Sequence, residues 1–165
     1  MAPNLTLLEP ANATQSTPTM IALIQRVTEA QVRIQERSIA DIGKGVLALI
    51  GVRRADTEVQ AERLAARLLA YRIFPDDSGR MNLSVPQVTG AVLLVPQFTL
   101  AADTTSGTRA GFSTAAEPQA ARRLFDHLVA ALQRAYAPVS SGVFGADMQV
   151  SLINDGPVTF WLEAR

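Results

Sequence analysis

Any fold for this chain has to accommodate the stretch from Met148 to Thr159. Met148, Val150 and Leu152 alternate with Gln149, Ser151 and Ile153, the period of a strand with one strongly apolar face. The strand is expected to stop at Asn154-Asp155-Gly156-Pro157. Pro157 has no backbone N–H for a central ladder, and Gly156 admits geometry that a β-carbon forbids. A Gly-Pro peptide bond is also one of the few that can be cis. Val158 to Leu162 then resumes a β-prone run. Two strands thus flank a rigid loop whose tip offers main-chain carbonyls and no polar side chain. On this stretch alone the simpler reading is an ordinary β-turn.

A chain of 165 residues suffices for one domain with a real core. It contains no cysteine, which removes disulfides, thiolate metal sites and cysteine nucleophiles, and suits a reducing, cytoplasmic setting. Its 15 basic and 15 acidic side chains cancel, so contact with a polyanion has to be local. Lys44 is the sole lysine, and the other cations are arginines, whose planar fork suits phosphate and carboxylate. Met1 to Thr19 carries no Lys or Arg, and its run Leu5-Thr6-Leu7-Leu8 is too short for a signal-peptide core or a membrane span. Rich in Pro, Thr, Asn and Ala, residues 1–19 read as a disordered extension ahead of a domain over 20–165.

From Met20 the pattern is regular. Ile21 to Arg26, and then Ala30, Val32 and Ile34, read as two strands; Gly43-Lys44-Gly45 is a turn, and Val46 to Val52 a strand covered on both faces. That Gly-Lys-Gly precedes a strand and is not a phosphate loop. Asp56 or Thr57 caps a helix reaching about Tyr71, with Ala61, Leu64, Ala65 and Leu68 as its buried stripe. Ile73 to Ser84 reads as strand, turn and strand, and Asp76-Asp77 supplies too few ligands for a metal. Ala91 to Val95 is an apolar strand ending at Pro96-Gln97-Phe98-Thr99-Leu100, where Gln97 and Thr99 either line a site or satisfy backbone groups. The polar loop Asp103 to Gly111, with Arg109 as its cation, is placed to cover a site.

A second helix runs from about Glu117 to Tyr136 on a stripe of Phe125, Leu128, Val129, Leu132 and Tyr136. His127, the only histidine, projects roughly 160–200° from that stripe and is expected to face solvent, which argues against a Ser-His-Asp triad and against histidine metal ligation. Phe144, among the glycines of Gly142-Val143-Phe144-Gly145, is either a stacking platform or a core plug. The order implies an α/β domain, a mixed and mostly antiparallel sheet layered with two long helices. Apolar strands and the Phe160-Trp161-Leu162 run favour a homodimer that completes the sheet.

Taken together, Pro96-Gln97-Phe98-Thr99-Leu100, Gly142-Val143-Phe144-Gly145-Ala146-Asp147-Met148 and Asn154-Asp155-Gly156-Pro157-Val158-Thr159 resemble the signature segments of the D-aminoacyl-tRNA deacylases, also called D-tyrosyl-tRNA deacylases. Ile24-Gln25-Arg26-Val27 and Arg80-Met81-Asn82-Leu83-Ser84 are similar to that family too, so the likeness spans Met20 to Arg165. It implies a cytoplasmic ester hydrolase without cofactor or metal, which frees a D-amino acid or glycine from the 3′-terminal adenosine of tRNA. It also implies a homodimer in which a cis Gly-Pro loop enters the partner's active site. Gly156 and Pro157 would be the chirality filter, and Gln97, Phe98 and Thr99 would line the scissile ester. Phe144, Gly145, Ala146 and Met148 would shape the adenosine pocket beside Asn154 of the loop segment, and Arg26 would brace the loop. The chain departs from the resemblance at Pro96, where the family usually carries Ser.

The residues agree with that chemistry. A chain with no cysteine and a histidine aimed elsewhere suits an activated ester with a ribose hydroxyl beside the carbonyl, for which orientation and backbone donors suffice and Thr99 need not be a nucleophile. Arg53, Arg54 and Arg109 are the candidate phosphate contacts. Two other classes remain open: a small-molecule esterase or amidase using Thr99, and a non-catalytic RNA-end-binding dimer.

Overall fold

The computed structural model describes residues 17–165; most of the expected Met1–Thr19 extension lies outside the described residues. In chain order the elements are β1 (Met20–Ile34), β2 (Arg37–Ile42), β3 (Gly45–Gly51), α1 (Glu58–Ala70), β4 (Phe74–Pro75), β5 (Met81–Leu83), β6 (Ala91–Pro96), a 3-10 turn (Phe98–Ala101), α2 (Pro118–Ala135), β7 (Val139–Ser141) and β8 (Gln149–Ala164). β1 is the spine of the main sheet and pairs antiparallel with β2, β3 and β8. β6 joins parallel to β3, and β7 parallel to β6. A mixed, mostly antiparallel sheet with two helices on it is the architecture that the pattern predicts.

Three local features depart from the pattern. The two predicted N-terminal strands are one, because β1 shifts register against β8 at Gln25/Val27 and again at Val27/Glu29. These bulges let one strand serve two cores: Ile24 packs under the helices, while Val27, Ala30 and Val32 pack on the opposite face with Leu47, Leu93 and Val95. β2 follows from no periodicity signal, since Gln35 and Glu36 make its turn with φ of 46° and 67° although neither is a usual turn residue. β8 is likewise continuous where two strands are expected. Its pairing with β1 passes from Asn154 opposite Val27 to Thr159 opposite Gln25, so Asp155 to Val158 bulge from the ladder and the proline needs no ladder bond.

The helices form as their stripes require. Thr57, rather than Asp56, is the N-cap of α1: its side chain accepts from Val59 N–H, and Gln60 reaches back to the Thr57 N–H at 3.0 Å. Asp56 instead staples the start of the domain. Its carboxylate accepts the Thr19 N–H at 2.6 Å and the Arg53 N–H at 2.7 Å, and burial pushes its pKa above the ordinary value. Ala61, Leu64, Ala65 and Leu68 are all buried, as are Phe125, Leu128 and Leu132 of α2. His127 does leave the buried stripe but does not face open solvent. α1 runs beside that flank of α2, and Glu62 Oε1 lies 2.7 Å from His127 Nε2 and 3.1 Å from the Arg134 guanidinium.

Candidate active site

β6 carries the site to the surface. Leu93, Leu94 and Val95 are buried on both faces, and Pro96, lacking an N–H, closes the strand opposite Ile50. Gln97 still donates its N–H to Ile50 C=O at 2.7 Å, which fixes where the chain turns into the 3-10 segment. The turn holds Phe98 and Thr99 outward, both exposed. Gln97 Nε2 donates to Thr99 Oγ1 at 2.6 Å.

A cavity of about 480 Å³ opens beside this turn, within the range of small-ligand sites. Gln97 and Phe98 form one side of it, the start of α2 at Pro118 and Ala121 another, and Phe144 to Met148 the third. Phe144 lines the cavity while its ring packs 6.4 Å from that of Phe125. Behind it the Arg122 guanidinium lies 5.8 Å from its ring centroid and donates to its carbonyl at 3.1 Å. Met148 backs the wall, with its sulfur accepting the Val143 N–H at 3.4 Å. That sulfur would sit 2.8 Å from any β-carbon added at Gly142, so a side chain there would push the thioether aside. Arg122 gave no sequence signal, because a helical arginine next to another arginine reads as solvated surface.

The second cluster of predicted residues lies outside that cavity. Gly156 and Pro157 are exposed at the β8 bulge, and the peptide bond between them is cis. Gly156 has φ +138°, and a β-carbon on it would meet Val158 Cγ2 at 2.6 Å, so only glycine is accommodated. Asn154 closes the bulge internally, its Oδ1 accepting Val158 N–H at 2.9 Å and its Nδ2 donating to Thr159 Oγ1 at 2.9 Å. Arg26, largely buried, donates to Asp155 C=O at 3.1 Å and to Ile73 C=O at 2.7 Å. None of Arg26, Asn154, Gly156 and Pro157 lines the cavity of Gln97 and Phe144. Thr99 does not line the cavity either, although Gln97, which does, is hydrogen-bonded to it, so one protomer presents two separate halves: an apolar pocket edged by Gln97, and a rigid backbone loop.

A hollow of about 690 Å³ at Arg63, Arg67, Trp161 and Arg165 is larger, but volume does not decide between them. It gathers arginines, of which Arg165 is engaged with Glu163 at 3.2 Å, whereas the smaller cavity sets the Gln97 amide against mostly apolar walls. Among the described residues no group of His, Cys, Asp and Glu is arranged to hold a metal ion, and no helix is long and apolar enough to cross a membrane.

The family model for D-Tyr-tRNA(Tyr) deacylase matches residues 23–163, a span that takes in both halves of the site. The chain belongs to this family. It is thereby an ester hydrolase, a D-aminoacyl-tRNA deacylase by class. A D-aminoacyl-tRNA deacylase of Thioalkalivibrio sulfidiphilus is 61% identical over 144 residues, covering 87% of this chain and 97% of that one. One from Methylococcus capsulatus is 58% identical over 143 residues, covering 87% and 94%. Among solved structures, a c-Myc DNA unwinding element binding protein superposes with TM-score 0.84 at 35% identity, over 88% of this chain and 99% of that one. A probable eukaryotic D-amino acid tRNA deacylase shares the fold of this deacylase with TM-score 0.76 at 17% identity, covering 88% and 99%.

Proposed function

We propose that the protein is a cytoplasmic chiral proofreading enzyme that hydrolyses the ester of D-aminoacyl-tRNA, and of glycyl-tRNA mischarged on tRNA-Ala, while sparing L-aminoacyl-tRNA. The observation that carries this is the split site. Gln97, Phe98, Phe144, Gly145, Ala146 and Met148 converge on one cavity, while Gly156-Pro157 stands exposed away from it. A rigid loop braced from behind by Arg26 and exposed at its Gly156-Pro157 tip fits insertion into a second copy, so the working enzyme is a homodimer with both active sites at the interface. Phe144, Gly145, Ala146 and Met148 take the terminal adenosine. Gln97 and Thr99 flank the ester, and the carbonyls at Gly156 and Pro157 face the α-amino group. An L side chain then meets backbone, which has nowhere to move. A 10³–10⁴-fold preference requires about 4–6 kcal/mol, which steric exclusion by a braced backbone can supply.

Thr99 acts by positioning rather than attack. The amide of Gln97 donates to its oxygen, and among the described residues no carboxylate or imidazole accepts its proton. Pro96 supplies no hydroxyl, so the reaction runs without the serine usual at that place in the family.

The test is release of tyrosine from D- and L-tyrosyl-tRNA by the wild type, by Gly156→Ala and by Gln97→Ala, and by a mixture of the two variants after subunit exchange. Selective release from the D form by the wild type, loss in each variant and partial recovery in the mixture support a filter acting in trans. No recovery in an exchanged mixture refutes it. Failure of the wild type to release tyrosine leaves the RNA-end-binding reading in its place, and hydrolysis of simple esters abolished by Thr99→Ala would favour the esterase reading.

A further inference from the structure

Beside the proposed adenosine pocket the protein keeps two large aromatic rings in water. Phe98 is 58% exposed and Phe112 44% exposed, yet their ring centroids lie 5.2 Å apart at an interplanar angle of 42°. Phe98 lines the cavity and Phe112 does not, so the pair runs from the cavity wall to the surface just outside it. Neither ring rides on a slack segment. Phe98 is part of the 3-10 turn that β6 ends in. Phe112 follows Gly111, whose N–H and C=O both pair with Asp103, at 3.0 and 2.8 Å. Two residues on, the Thr114 carbonyl accepts the Arg54 N–H at 3.0 Å. Exposed apolar surface fixed in this way, next to a ligand cavity, marks a binding platform.

The segment between the rings is dressed for a sugar-phosphate chain. Its one carboxylate, Asp103, is occupied by the hydroxyl of Thr105 at 2.7 Å and the N–H of Thr105 at 3.0 Å, bonds that hold its pKa below the ordinary range. What the loop presents outward is Arg109 with the hydroxyls of Thr104, Ser106 and Thr108, which are donors for phosphate and ribose oxygens. We propose that Phe98 and Phe112 form a stacking subsite for the base of the nucleotide preceding the terminal adenosine. The Asp103–Phe112 loop then holds the phosphodiester between the two nucleotides. The subsite rests on the assignment of the Gln97–Phe144 cavity to the adenosine. It recognises a π-face rather than a base identity, as stacking does.

The test compares binding of the trinucleotide CpCpA with binding of adenosine, alongside release of tyrosine from D-tyrosyl-tRNA and light scattering for oligomeric state. The wild type is expected to bind CpCpA roughly tenfold tighter than adenosine, the ratio one stacked base supplies. The ratio falls toward one in Phe112→Ala and is kept in Phe112→Tyr, which retains a stacking face. An unchanged ratio in Phe112→Ala overturns the subsite. So does dissociation of a dimer in that variant, which would make a second copy the cover of the ring. Absence of tyrosine release by the wild type defeats the deacylase reading and leaves the binding ratio to decide the subsite.

Discussion

Replacing Arg26 with Ala removes the brace of the Gly156-Pro157 bulge, and the geometry says which of its contacts matters. The guanidinium donates to two main-chain carbonyls, Asp155 at 3.1 Å and Ile73 at 2.7 Å, and faces the Asp155 carboxylate at 3.2 Å. Its side chain is only 11% exposed, whereas that of Asp155 is 46% exposed. Water screens the ion pair, which contributes about 0–1 kcal/mol. Two charge-assisted bonds to carbonyls, one at buried Ile73 and one at half-exposed Asp155, together contribute about 2–3 kcal/mol. Arg26→Ala is therefore expected to lower stability by about 2–3 kcal/mol, seen as a Tm about 6–10 °C lower for a domain of this size. Asp155→Asn, which keeps the main-chain acceptor, should cost under about 1 kcal/mol. On the proposed reading discrimination between D- and L-tyrosyl-tRNA falls in Arg26→Ala, since a loose loop admits the larger configuration. Thermal melts and paired deacylation assays decide it. If Asp155→Asn costs as much as Arg26→Ala, the ion pair and not the carbonyl clamp holds the loop; if Arg26→Ala keeps full chiral discrimination, the loop does not depend on the brace.

Two further outcomes concern a wall of the cavity and a turn far from it. Arg122→Ala leaves the Phe144 carbonyl without its donor and the ring without its cation, a loss of about 1 kcal/mol at this exposed position. KM for D-tyrosyl-tRNA should then rise about fivefold with kcat unchanged, and Arg122→Lys, which retains the cation, should recover part of it; an equal fall in kcat would refute a purely positioning role. Asp76 sits in the β4–β5 turn with its carboxylate accepting from the Ser78 hydroxyl, the Asn82 amide and the Arg80 N–H, which bring its pKa down from 3.8 to about 2. A folded pKa below the unfolded one means that its contribution is present above about pH 4 and is lost as pH falls through about 2. The amide resonances of Ser78 and Arg80 should titrate with a midpoint near 2, and a midpoint near 4 would show that these bonds do not form.

What could be read in the chain was whatever a local period or a special residue dictates. The two helices, their stripes and the apolar β6 follow from spacing alone, because burial of one face outweighs local preferences wherever the periodicity is unbroken. Pro96 and Gly156-Pro157 mark the two places where the chain leaves the ladder, although β8 continues past the second. Not legible were contacts between residues far apart in the chain. The family resemblance placed Arg26 at the Gly156-Pro157 loop, but nothing near it announces its other partner, the carbonyl of Ile73, and nothing near Arg122 announces Phe144. His127 shows the same limit in reverse. Its angle on α2 was readable, but the neighbour that meets it, Glu62 of α1, was set by helix packing.

The chemistry assigned to the site fits a surface with so little acid–base equipment. The Gln97–Thr99 pair is donor to acceptor, with the imidazole of His127 held in the helix seam by Glu62. General base catalysis by a side chain is then unavailable from these groups, and a stable amide would be beyond such a site. An aminoacyl ester is different: it is already activated, and the vicinal ribose hydroxyl lies within reach of the carbonyl. Fixing that ester rigidly replaces solvent reorganisation with prior positioning, which is worth several kcal/mol of barrier. On this account the cavity and the loop do the same kind of work from opposite subunits. In the proposed dimer the cavity would fix the adenosine and the loop the α-carbon, leaving the ester between them one orientation. Selectivity by handedness follows from that constraint, because a site that reads main-chain geometry with backbone has no contact by which to prefer one side chain over another.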